Sequence, residues 1–173
     1  MEVNFSSLVN AGVIRYLETK ARSPHSVSVA RLRASADPKS VENWNRLGTH
    51  PDLIELLWSE LAGSLPERCQ WLVYGTPVLV HPASGVVFGL ASGTSTYALR
   101  LPPEERAQAL RAGAKRLRNY PAQPKFGIAA SSFNLDDIGQ EWVFGGWFRG
   151  EEVWCLAAYY FAREGVVDRS DAP

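Results

Sequence analysis

WLVYGTPVLVHPASGVVFGLASGTSTYALRL, residues 71–101, decides the fold. Short apolar runs alternate in it with Gly, Pro and Ser, the punctuation of strands joined by tight turns. The pattern predicts strands at Trp71–Tyr74, Pro77–Val80, Val86–Ala91 and Thr96–Leu101, forming an antiparallel meander. Between the second and third, His81-Pro-Ala-Ser-Gly85 has hairpin chemistry: Pro82 restricts the backbone on one side and Gly85 supplies a positive φ on the other. Ser92-Gly-Thr94 supplies a second turn.

The flanks read as helices. Upstream, Phe5, Leu8, Val9, Val13, Ile14 and Leu17 recur at helical spacing behind Ser6 and Ser7, predicting one amphipathic helix over Phe5–Ala21. Arg22–Ala36 is read as a linker or a short strand, and Asp37-Pro38 opens a short helix to Leu47. In GTHPDLIELLWSELAGSLP, Pro51 suits a first turn, Asp52 and Glu55 complement the positive end of a helix dipole, and Leu53, Ile54, Leu57, Trp58 and Leu61 repeat until Gly63. Downstream, PPEERAQALRAGAKRLR places its acids first and Lys115, Arg116 and Arg118 last, the charge order of a single helix over Pro103–Arg118. Lys125–Ala130 reads as a strand, Asn134–Gly139 as an acidic connector, Trp142–Trp147 as an aromatic strand in which Gly145 and Gly146 mark a bulge, and Glu151–Arg163 as a closing helix. The composite is an α+β fold, an antiparallel meander sheet covered on one face by helices. Residues 1–21 form its N-terminal helix, 37–165 one domain and 166–173 a polar, disordered tail.

Composition narrows the function. The 18 basic and 18 acidic side chains cancel, removing the electrostatic footprint of a protein that holds nucleic acid or an anionic membrane. The first twenty residues carry Glu2, Arg15 and Glu18 without an apolar run of signal-peptide length, and no later run reaches a membrane span. Together with two cysteines, Cys69 and Cys155, read as buried reduced thiols, this predicts a cytoplasmic protein.

From Val86 onward, GVVFGLASGTSTYALRL, the helix from Pro103 to Arg118, EWVFGGW and EEVWCLAAYYFA follow one another in an order similar to small bacterial proteins of the TfoX N-terminal and MmcQ/YjbR type. The resemblance covers roughly the last half of the chain and carries no invariant catalytic motif. It implies a small cytoplasmic protein, some relatives of which are associated with regulation, and brings no active-site residue with it.

The chemistry-bearing residues are sparse. HPD at 50–52 matches the tripeptide of J-domains but lacks their preceding basic helix, so it reads as helix-capping sequence. His25, His50 and His81 are scattered without a metal-ligand spacing. SGTST at 92–96 joins two strands, whereas a phosphate loop leads into a helix. No GxSxG elbow occurs, and no cofactor is expected. Asp136, Asp137 and Glu141 lie near tryptophans in the manner of a sugar cleft, yet they also suit an ordinary loop.

Two features remain. The aromatic strand places Trp142 and Phe144 on one face and Trp147 on the other, so it suits a core, a groove floor or a subunit contact. Arg100 interrupts an apolar strand; by alternation it belongs either to a wet face or, with Glu141 on a neighbouring strand, to a polar spot recognising an anionic group. The expected activity is binding, to another protein or to a second copy in a homodimer, through residues 141–148 and the edge near Arg100. One alternative is a small-ligand or enzyme pocket between sheet and terminal helix using His81, Arg100 and Glu141 with Trp142 or Trp147 as lining. The other is an immunity-type protein binding a toxin through Asp136, Asp137, Glu151 and Glu152.

Overall fold

The computed structural model describes residues 3–21, 31–33, 49, 51–73, 76–92, 96–116, 138–145 and 151–164. A 3-10 turn at Leu8–Asn10 leads into α1 (Ala11–Ala21), and β1 (Arg31–Arg33) follows. α2 (Pro51–Glu55) continues as a π-helix over Leu56–Leu61, and a second 3-10 turn, Glu67–Cys69, enters the sheet. There β2 (Gln70–Val73), β3 (Thr76–Val80), β4 (Val87–Ser92) and β5 (Thr96–Arg100) form the predicted meander. α3 (Pro103–Arg111), β6 (Lys115–Arg116), β7 (Trp142–Gly145) and α4 (Glu151–Glu164) complete the described chain.

The seven described strands form one antiparallel sheet in the order β1-β2-β3-β4-β5-β7-β6. The fold is thus α+β around a meander, and the aromatic strand β7 lies inside the sheet, between β5 and β6. β1 gives the short-strand reading of residues 22–36 its three residues, paired to β2 from Arg31 opposite Val73 to Arg33 opposite Trp71. The helix expected at 38–47, the strand at 125–130, Asp136 and Asp137 of the connector, and the tail at 166–173 lie outside the described residues.

Helices cover both faces of the sheet, not one face as the sequence predicts. On one side Leu72, Leu79, Phe88, Tyr97, Leu99 and Val143 pack with α2, α3 and α4. On the other, Val73, Val78, Val80, Leu90, Ala98, Trp142 and Phe144 pack with Val13, Ile14 and Leu17 of α1. Successive residues of β3, β5 and β7 divide cleanly between these cores, as the pleat requires. The reason lies in the sequence: a strand such as TPVLV, apolar at consecutive positions, has two faces to bury. A register shift at Leu79/Val80 inserts Phe88 as the extra residue opposite β3, and it turns the Phe88 ring to the α4 side although Leu90, two residues on, faces α1.

Two helices depart from their expected course. α3 stops at Arg111, because Gly113 adopts φ 108°, the Gly113 N–H donates to the Leu110 carbonyl and the Ala114 N–H to that of Ala109. This pair of bonds is a Schellman cap, and a left-handed residue there favours glycine. Lys115 and Arg116, expected as the basic end of a helix, form the edge strand β6 instead. At the N-terminus the helix begins with a 3-10 turn, Ser7 makes no side-chain cap bond, and Leu8, expected on the apolar face, is 85% exposed.

Candidate functional site

Three of the described buried polar side chains, Asn10, His81 and Arg100, gather at one end of the sheet, because β4 starts and β5 finishes there, with the 81–86 turn and the start of β7 beside them. The turn takes its predicted form: the His81 N–H donates to the Val86 carbonyl at 2.8 Å, the Gly85 N–H to the His81 carbonyl at 2.9 Å, and Gly85 has φ 70°. His81 is buried, and its Nδ1 accepts the N–H groups of Ala83 and Ser84, each at 3.2 Å. An imidazole accepting at Nδ1 carries its proton on Nε2. Its ring centroid lies 4.6 Å from that of Tyr159 on α4. Burial first, then the neighbouring Arg163 and Arg68 charges, push its pKa below the ordinary 6.5. His81 therefore acts as a neutral acceptor that stands in for a turn's missing carbonyl.

Both helical layers grip this turn. Asn10, fully buried at the foot of α1, donates from Nδ2 to the carbonyls of Asn4 and Gly85 at 2.8 and 2.9 Å, and its Oδ1 accepts the Val87 N–H at 2.9 Å. From the other side, Ser84 Oγ donates to the Ala162 carbonyl in the last turn of α4 at 2.7 Å. Sequence reasoning passed over Asn10; its signal was a lone amide in the apolar run SLVNAGVI, where such a group needs partners to be buried.

Arg100 and Glu141 meet as expected, but inside the protein. Arg100 stands opposite Trp142 in the β5–β7 ladder and is 0% exposed, which excludes the wet-face reading. Its Nε donates to Glu141 Oε2 at 2.7 Å, and its guanidinium carbon lies 4.1 Å from the centre of the half-buried Phe161 ring of α4. The Glu141 side chain is 16% exposed, and its backbone carbonyl accepts the Leu101 N–H. A bonded charge pair lying on an aromatic face fastens β5, β7 and α4 to one another.

The remaining candidates separate. Trp142 is 2% exposed in the α1-side core, and Trp147, Asp136 and Asp137 lie outside the described residues. Between the sheet and α4, where a pocket was the alternative expectation, Leu99, Leu101, Ala109, Val143 and Trp154 line a cavity of about 10 Å³. That is the space of about one water. Cys69 and Cys155 are buried free thiols in the α4-side core; burial is the main cause that lifts the first to about 11 and the second to about 12, so neither is a thiolate near neutrality. Among the described residues no group of three or more His, Cys, Asp or Glu side chains could hold a metal ion, and no helix is long and apolar enough to cross a membrane.

What faces solvent on α4 differs from all of this. Cys155, Ala158 and Ala162 form its fully buried stripe, while Val153 is 66%, Leu156 38% and Tyr160 55% exposed. At 3.6 residues per turn, Val153 and Tyr160 point almost directly away from the buried stripe, with Leu156 beside them. Comparison of the chain with protein-family models, curated proteins and solved structures finds no match to any of the three.

Proposed function

We propose that the protein acts by binding another protein, and that its docking face is the outer surface of α4. The observation that carries this reading is the exposed triplet Val153, Leu156 and Tyr160 at i, i+3 and i+7. Isolated exposed apolar residues are ordinary, but three aligned along the solvent side of one helix have the spacing of anchors for a partner. The binding activity expected from the sequence is retained, and its surface moves from the aromatic strand to the closing helix. β7 has a neighbouring strand on each side and its rings fill a core. The outer strands of the described sheet read RLR and KR, and cationic residues on edge strands discourage further strand addition.

The interior supports a surface function over a pocket enzyme. Among the described residues, His81 is spent on a turn, the two thiols are held protonated, and the cavity beneath α4 takes about one water. Balanced charge and two free thiols support a cytoplasmic protein without a nucleic-acid partner.

Site-specific photocrosslinking tests the docking face. With benzoylphenylalanine in place of Tyr160, irradiation in cells is expected to give discrete adducts to a polypeptide identified by mass spectrometry, and Val153→Glu should abolish them. The same probe at the exposed Gln108 of α3 is the control. Equal labelling at both positions, or none at 160, overturns the docking face.

A further inference from the structure

Resting on that reading, we infer that the occupant of the α4 face is a second copy of the same chain, docked with the two α4 helices antiparallel across a two-fold axis. The argument is the self-complementarity of the helix. Glu152 and Arg163 are both exposed, and at 100° per residue they project from the same flank of the apolar stripe. They also lie at equal distances on either side of the midpoint between Ala157 and Ala158.

A two-fold axis through that midpoint, lying in the interface, reverses the helix direction and keeps each flank on its own side. It therefore brings Glu152 of each copy level with the partner's Arg163, making two equivalent ion pairs. The same operation lays each Tyr160 ring over the partner's Val153 and Leu156, so the largest exposed aromatic covers the two exposed aliphatics. Parallel pairing about a two-fold along the helices would send this flank of each copy to the opposite side of the contact and leave Glu152 and Arg163 unmatched. Charge thus selects one orientation, and the apolar stripe supplies the adhesion.

The contact is small. Three side chains, each able to bury no more than about 250 Å², fall short of the ~800 Å² that one partner of a stable complex buries. The association is therefore reversible and dependent on concentration, and its ion pairs weaken as salt rises.

Sedimentation equilibrium of the purified full-length chain from about 1 to 500 μM, at low and high salt, tests the inference. A monomer–dimer equilibrium is expected. Tyr160→Glu should raise its dissociation constant by at least about tenfold. Glu152→Arg or Arg163→Glu alone should raise it by roughly threefold to tenfold, and the double variant E152R/R163E should return it close to the starting value. All three substituted positions are exposed, and unchanged thermal melting of each variant at low concentration establishes that it folds. A monomer throughout the range, or a dimer indifferent to Tyr160→Glu, overturns the inference; a dimer that the double charge exchange fails to rescue overturns the antiparallel geometry. A monomer whose position 160 crosslinks to a different polypeptide sinks the second copy and leaves the docking face standing. A monomer with no adducts sinks both.

Discussion

α1 and α4 perform the same structural task on opposite faces of one sheet, and they are built inside out relative to each other. α1 turns Val13, Ile14 and Leu17 inward and leaves Ala11 and Arg15 in water. α4 turns Cys155, Ala158 and Ala162 inward and leaves Val153, Leu156 and Tyr160 exposed. The first is the ordinary amphipathic helix, whose bulky residues fill the space above the strands. The second lies close to the sheet on small residues, while Phe88 and Tyr97 rise from the strands to meet it. Small inner residues are all that such close packing needs, so they explain α4's place in the fold. They do not explain its bulky outer face, and the proposed docking at α4 rests on that difference.

The comparison breaks first at Leu17, which is fully buried. Leu17→Ala should cost about 3–5 kcal/mol in urea or guanidinium unfolding, because it loses transfer energy and leaves a cavity under α1. A loss below about 1 kcal/mol would mean that α1 contributes little to this core. On the other face the largest effect comes from the polar fastening. Glu141→Ala should cost about 3 kcal/mol, the lower end for breaking a buried pair because the carboxylate is 16% exposed. Replacing both Arg100 and Glu141 with Met should recover most of that loss. If the double variant is as unstable as the single one, the Phe161 stacking and the backbone of β7, rather than the charge pair, hold this corner.

For α4 itself the sign of the size change reverses. Ala158→Leu should cost about 1–3 kcal/mol by forcing the helix off the sheet, whereas Leu156→Gln on the outer face should change monomer stability by no more than about 0.5 kcal/mol. Equal sensitivity at the two positions would show that Leu156 is packed within the monomer, and the contrast between α1 and α4 would collapse.

Much of this architecture was legible in residues 71–101. The four strands and the hairpin at Gly85 follow from local alternation and turn chemistry, whereas alternation alone leaves Arg100 either on a wet face or beside Glu141. What stayed hidden depends on contacts distant in sequence. Alternation places Arg100 on a face without saying what meets it there; the Phe161 ring of α4, about sixty positions downstream, lies against its guanidinium. The end of α3 was misplaced for a different reason. Lys115 and Arg116 satisfy the dipole of a longer helix as well as they satisfy an edge strand, and Gly113 is tolerated in a helix at modest cost. Only β7, paired alongside, decides between the two. The outer face of α4 was written plainly as V-x-x-L-x-x-x-Y, but in a sequence such a stripe cannot be told from a core-facing one until the opposite stripe is seen to be buried.

The smallest expected effect lies at the turn that both helices hold. His81 is kept neutral by burial and by Arg163 and Arg68, so its pKa in the folded chain is below 6.5 and in the unfolded chain close to it. Above pH 6.5 the imidazole is neutral in both states and the turn has its full stability. As the pH falls through 6.5 toward the lower folded value, the unfolded chain binds the proton more readily than the folded one, and stability declines across that window. Protonation at Nδ1 also removes the acceptor for the Ala83 and Ser84 N–H groups. In His81→Asn the side-chain oxygen occupies the position of Nδ1, since both are bonded to Cγ, and it does not titrate. The variant should be less stable than the parent near pH 7.5, because it loses the ring packed on Tyr159, but should lose this part of the decline below pH 6.5, as read from the slope of urea midpoints across the range. If parent and variant keep the same slope, His81 does not couple protonation to the turn, and the grip of α1 and α4 on it rests on Asn10 and Ser84 alone.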